Sequence, residues 1–280
     1  MRARGLAMDR FAINVDAIRQ HPGFSPVAVS YDNAINAVGT HTPDAATGHS
    51  LILNGHIDVV PTGPLDMWSV PPYEPALAND WLHGRGAGDM KAALAANLFA
   101  LDALHETGFQ PAATLYMHSV PEEECTGNGA LACLVRGYRA DCALNTEPMN
   151  DTLVRAIKAT VLAAAREDSY LSNHPPVVSY NGFTAQGYVL PEDTPAEQCL
   201  RTAPSSVFGA DLAAGVCPAY LDARVFALYD NTPALVYGPI CERLHGFDER
   251  VHLESVRKVT KTVALFICQW CGIEILESSR

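Results

Sequence analysis

The sequence predicts an α/β fold, and three observations carry that expectation. Short apolar runs alternate with helix-forming stretches. Turn residues punctuate the junctions. The acids and the histidine of the first half gather where the apolar runs end. The first such run, SLILNGHIDVVP from Ser50 to Pro61, is nearly continuous in apolar character, as a strand buried on both faces reads, and it places His56 and Asp58 at its C-terminal end. Residues 91–107, KAALAANLFALDALHET, are strong helix formers stopped by Gly108, so a helix is expected to start just after Asp89. ATLYMHSV reads as the next strand and delivers Glu122, Glu123 and Glu124, followed by the turn TGNG and a helical ALACLVRGY. DCALNTEP repeats the pattern with Glu147 at its far end. In parallel α/β sheets ligands bind beyond the carboxyl ends of the strands, where these side chains fall.

Farther along, AREDSYLSNHPPVVSYNGF is polar and Pro-containing and reads as a connector, and a helix is expected from TPAEQCLRTAPSSVFG, capped by Asp193 or Thr194. ARVFALYDNTPALVYGP is expected to form two short strands, and Leu253 to Trp270 a long helix. The chain has 280 residues and is 48% hydrophobic, enough for one core without staples. Its 31 acidic against 19 basic residues give a formal charge of −12, which argues against nucleic acid or an anionic membrane as partner. No run is long and apolar enough for a membrane span and the N-terminal segment lacks the features of a signal peptide, so a cytoplasmic protein with reduced cysteines is expected. Cys268 and Cys271 form a lone CxxC in an apolar helical segment, read as packed thiols.

Taken singly, the polar residues at the strand ends have ordinary readings. His56 fits a surface or core histidine, Asp89 a helix N-cap, the Glu122–Glu124 trio a solvated loop, Glu147 a turn and His245 a loop histidine. Three features argue for more. Asp58 follows His56 by two residues and can orient its imidazole. The glycines at 84, 86 and 88 allow a sharp turn that aims Asp89 into a cleft. Consecutive carboxylates held beside a core are costly unless a cation neutralises them. Together, two histidines and three carboxylates from five separate elements suit two borderline metal ions bridged by one acid.

The motifs NGHIDVVP, GRGAGDMK, PEEECTGNGA, NTEP and YGPICERLHGFDE occur in this order over most of the chain. In this combination the sequence resembles the M20 family of zinc peptidases and deacylases, which includes acetylornithine deacetylase, succinyl-diaminopimelate desuccinylase and aminoacylase. The resemblance implies a three-layer catalytic domain with a mixed central sheet flanked by helices. It also implies two Zn2+ ions, with Co2+ or Mn2+ as alternatives. Asp89 would bridge them, His56 and Glu147 would complete one site, and Glu124 and His245 the other. Glu123 would be the general base and Asp58 the residue that orients His56. The implied reaction is deacylation of an N-acyl amino acid, with hydrolysis of a short peptide as an alternative.

Family members usually insert a dimerising lid domain after the strand that ends at the NTEP motif. Here residues 153–176 read as a short connector in its place, so residues 1–280 are expected to form a single catalytic domain, a monomer or a dimer not built on the lid. The lid's oxyanion-stabilising histidine has no counterpart in the sequence. A catalytically weak or inactive zinc-binding homologue therefore stands beside the active hydrolase as an expectation.

Overall fold

The computed structural model describes residues 1–148, 167, 170–174, 186–208, 215 and 219–276. The expected connector at 153–176 lies outside the described residues apart from 167 and 170–174.

In chain order the strands are β1 (Ala7–Ala12), β2 (Ile35–His41), β3 (Leu51–Asn54), β4 (Ala76–Ala78), β5 (Trp81–His83), β6 (Phe109–Pro111), β7 (Leu115–Ser119), β8 (Cys142–Asn145), β9 (Ala234–Val236), β10 (Cys241–Glu242), β11 (Arg250–His252) and β12 (Ile273–Ile275). The helices are α1 (Val15–Ile18), α2 (Ala92–Glu106), α3 (Asn128–Arg136), α4 (Pro195–Phe208), α5 (Ala223–Tyr229) and α6 (Leu253–Cys271). The central sheet has the order β1-β2-β7-β3-β8-β9. Strands β7, β3, β8 and β9 are mutually parallel, whereas β2 runs antiparallel to both of its neighbours, β1 and β7. The sheet is therefore mixed, and the ends of its four parallel strands open on one edge.

Side-chain alternation builds two cores on this sheet. Leu51, Leu53, Leu115, Met117, Cys142, Leu144 and Leu235 face one side, where they meet Leu101 and Leu104 of α2 and Val263, Phe266 and Ile267 of α6. Ile52, Ala143 and Ala234 face the other, against Leu131 and Leu134 of α3, Phe226 of α5 and Ile18 of α1. Helices cover both faces, giving the three layers. A smaller antiparallel sheet, β10-β11-β5-β4, stands beside the strand ends and carries the Gly84–Asp89 turn and the loop containing His245.

Most elements fall where the sequence placed them. Thr194 caps α4, its Oγ1 accepting from Glu197 N at 3.2 Å. One element differs: ARVFALY forms helix α5, not a strand, and only ALV of the expected pair is extended. Residues 223–226 are buried and 227–229 half-buried, so this short, mostly apolar run is a largely covered helix, which periodicity cannot separate from a buried strand. Cys268 and Cys271 lie on α6, with Cys271 buried in the core. Among the described residues, no helix is long and apolar enough to cross a membrane.

Candidate metal centre and active site

His56 follows β3 and is held by a parallel bridge to Val120, the residue after β7, with Ile57 N donating to Val120 O at 2.8 Å. It has no solvent exposure. Asp58 lies beyond the strand rather than on it, so irregular backbone past the bridge does the work expected of strand alternation. Its Oδ1 stands 3.3 Å from His56 Nδ1, and its Oδ2 accepts from Glu124 N at 3.2 Å. The Asp58 carboxylate thus touches both the His56 ring and the backbone of the acid trio.

Asp89 is not a helix N-cap. Helix α2 begins three residues later, and the two carboxylate oxygens of Asp89 point to two different histidines. Oδ1 is 2.9 Å from His56 Nε2 and Oδ2 is 3.1 Å from His245 Nε2. Glu124 Oε2 is 3.0 Å from the same His245 nitrogen. On the other side, Glu147 Oε1 lies 3.7 Å and Glu123 Oε2 3.9 Å from His56 Nε2. All seven residues expected at the site are therefore brought together, with Asp89 between two clusters. Glu122, the first acid of the trio, turns away. With φ 72° it starts a tight turn, its carbonyl accepts from Thr126 N and Gly127 N, and its carboxylate accepts from Thr126 Oγ1 at 3.2 Å.

The electrostatics of this arrangement are those of carboxylates crowded, mostly buried, around two histidines. Burial drives Glu123 well above the usual carboxylate range, Glu147 reinforces the shift, and His56 opposes it. Glu147 is likewise raised by burial, with His56 opposing. Burial also pushes Asp89 upward, but its bonds to His245 and His56 outweigh it and hold the carboxyl below its ordinary value. Burial lowers His56, yet Glu147, Asp58 and Asp89 carry it well above its normal pKa. Hydrogen bonds to Asp89 and Glu124 raise His245 to about 10. Glu123 Oε1 and Glu147 Oε1 are buried with no hydrogen-bond partner among the described residues. Unpartnered oxygens on two carboxylates that lie beside the His56 imidazole are donors that a borderline divalent cation would satisfy. His56, Asp89 and Glu124 can each offer an atom to one ion, these atoms all lying within 4.8 Å of one another.

A cavity of about 340 Å³ opens over this cluster. Its lining includes Asp89, Glu123, Glu124, Glu147 and His245 together with Tyr220, Leu221 and Leu244. The sequence reading missed Tyr220 and its neighbour Asp222. Asp222 is fully buried, accepting from Asn54 Nδ2 at 3.3 Å and from the Tyr220 hydroxyl at 3.4 Å, and burial pushes its carboxyl up to about 7. Gly127, with φ 71°, makes room for that hydroxyl, since a Cβ there would stand 1.6 Å from it. The signal available in the sequence was a single acid before an apolar run, which nothing local distinguishes from an ordinary acid at the start of an element.

Two imidazoles and a cluster of carboxylates, gathered where the ends of the parallel strands meet the small sheet, form a candidate metal site on an α/β fold. Residues 52–269 match peptidase family M20/M25/M40, and the chain belongs to that family. It is 44% identical over 95 residues to N-formyl-4-amino-5-aminomethyl-2-methylpyrimidine deformylase of Halalkalibacterium halodurans, covering 34% of this chain and 22% of that protein. It is 36% identical over 118 residues to succinyl-diaminopimelate desuccinylase of Dechloromonas aromatica, covering 40% of this chain and 31% of that one. The matched segments thus span less than a third of these relatives. Human carnosine dipeptidase 1 has a similar fold, with a TM-score of 0.69 at 10% identity over 96% of this chain and 88% of that one.

Proposed function

We propose that this chain is a metal-dependent amide hydrolase that removes the acyl group from an N-acyl amino acid. In this reading two divalent cations would be held with Asp89 shared between them, His56 and Glu147 serving one and Glu124 and His245 the other. The observation that carries it is the division of the Asp89 carboxylate, one oxygen to each histidine. Family membership supports hydrolysis. The deformylase and desuccinylase named among its relatives favour deacylation over peptide cleavage. Zinc best suits a mixed imidazole and carboxylate set, with cobalt or manganese as alternatives, and such ions supply Lewis acidity and water of near-neutral pKa.

The protein's own groups do the rest. Glu123, buried beside the cluster with one carboxylate oxygen unpartnered among the described residues, is suited to take a proton from the attacking water and return it to the departing amine. Asp58 fixes the His56 ring through Nδ1. Leu221 and Leu244 add apolar surface to the cavity lining, which limits water around the scissile bond.

The test is a hydrolysis screen over N-formyl, N-acetyl and N-succinyl amino acids and dipeptides, run on protein of measured metal content. Glu123→Gln is expected to lose about 10²–10⁴ in kcat while retaining its metal. Full metal occupancy without turnover on any substrate would leave a metal-binding protein in place of the enzyme.

A further inference from the structure

Two residues outside the cavity tie together the loops that carry Asp89 and His245. The Glu249 carboxylate is almost completely buried and both its oxygens are used. Oε1 accepts from Gly88 N at 2.9 Å and Asp89 N at 3.1 Å, while Oε2 accepts from Gly86 N at 3.2 Å and Arg85 Nη1 at 2.5 Å. Arg85 completes the link, its Nη2 donating to Gly246 O at 3.1 Å, one residue past His245, and reaching Pro61 O at 3.4 Å. Its guanidinium lies 5.1 Å from the Trp68 ring centroid, and Phe247 packs edge-on against that ring. Gly88 fits closely against Leu244 and Cys241, where a Cβ would come within 3.0 Å of Leu244 Cδ2.

This link matters because packing does not hold His245. Its side chain is 54% exposed and its backbone is in the left-handed region at φ 61°. Something other than burial must set the 3.1 Å and 3.0 Å separations from Asp89 and Glu124. Glu249 follows His245 by four residues and collects the backbone N–H groups that aim Asp89.

We infer that Arg85 and Glu249 are positioning residues that set the separation of Asp89 and His245, and through it the affinity and geometry of the cation site these two share. The inference rests on the two-cation reading above. Neither residue touches the cavity. Both act through backbone groups. Glu249→Gln has the same shape, but either orientation of its amide turns an NH2 toward donors, against Gly88 and Asp89 or against Gly86 and Arg85. Arg85→Lys keeps the charge and loses the second arm to Gly246 and Pro61.

The experiment titrates metal-free parent, Glu249→Gln, Arg85→Lys and Arg136→Ala with Co2+, following visible absorption at a temperature where circular dichroism shows each folded. Arg136 forms an ion pair with Asp9 on the far side of the sheet and serves as the control. The expected result is Co2+ binding weakened about 10–100-fold in Glu249→Gln and Arg85→Lys, with altered ligand-field bands, and unchanged in Arg136→Ala. A purely structural role would lower the melting temperature of the metal-free variants and leave both affinity and bands of the folded protein as in the parent. That result would overturn the inference. Should Glu249→Gln fail to fold, Arg85→Lys decides the matter by the same criterion. A parent that takes up no Co2+ would instead refute the two-cation reading itself, and the inference with it.

Discussion

His118 sits on β7 without solvent exposure, its Nδ1 3.3 Å from Asn54 Oδ1 and its Nε2 lacking a hydrogen-bond partner among the described residues. Burial lowers its pKa to about 3. The unfolded chain takes up a proton near 6.5 that the folded chain refuses, so this group's contribution to stability is complete above 6.5 and is lost progressively as pH falls toward 3. Between pH 7.5 and 5 the loss should be about 2 kcal/mol. Its ring is surrounded by Tyr116, Tyr138 and Phe226, so Phe is accommodated there. Urea midpoints in EDTA at the two pH values should therefore fall more for the parent than for His118→Phe. Parallel losses would show that His118 titrates normally. At this scale the site was legible where chemistry repeats locally. His56 with Asp58, the glycines before Asp89, and three consecutive acids are dense enough to be read from the chain. Glu249 and Asp222 were not, because their partners lie more than a hundred residues away: Gly88 is 161 positions from Glu249, and Asn54 is 168 from Asp222. Nothing in HGFDER distinguishes an acid that gathers three backbone amides from one facing solvent.

At the scale of elements, the parallel strands were readable because both faces of each are covered, which makes their sequences apolar throughout. The same property misled at ARVFALY, where four of the seven residues of a short helix are buried. How the strand ends approach one another was not readable at all. Gly238, just past β9, passes over the end of β8 so closely that a Cβ would lie 2.0 Å from Glu147 O and 2.6 Å from Thr146 O. Any side chain there must push the backbone of Glu147, and with it a carboxylate aimed at His56. Gly238→Ala is expected to destabilise the fold by about 1–3 kcal/mol, the usual cost of forcing atoms into a filled space. It should also weaken metal binding, because the displaced segment carries a proposed ligand. Urea denaturation of the metal-free protein reads the first effect and Co2+ titration the second. Unaltered Co2+ affinity in a destabilised variant would mean that Glu147 tolerates the shift or is not a ligand.

For the whole molecule, the seven site residues are contributed by segments following β3, β5, β7, β8 and β10, with 189 sequence positions between His56 and His245. Without a cation this assembly holds five carboxylates around two imidazoles in a chain whose formal charge is already −12. A bound cation joins segments of the central sheet to the loop carried by the small sheet, and it binds the folded state alone, so it must stabilise folding by mass action. At a free metal concentration 100 times Kd the gain is about 2.7 kcal/mol. For a chain of this size that corresponds to a rise in Tm of roughly 5–10 °C, with a further few degrees for each tenfold increase in free metal. Melting curves in EDTA and in buffered series of Zn2+ and Co2+ should show this dependence. Asp89→Asn, which removes the charge between the two histidines while keeping the side chain's shape, should flatten it. A Tm that ignores both chelator and metal would mean that the carboxylates stay together by protonation and histidine pairing, and that the acid cluster is not a metal centre.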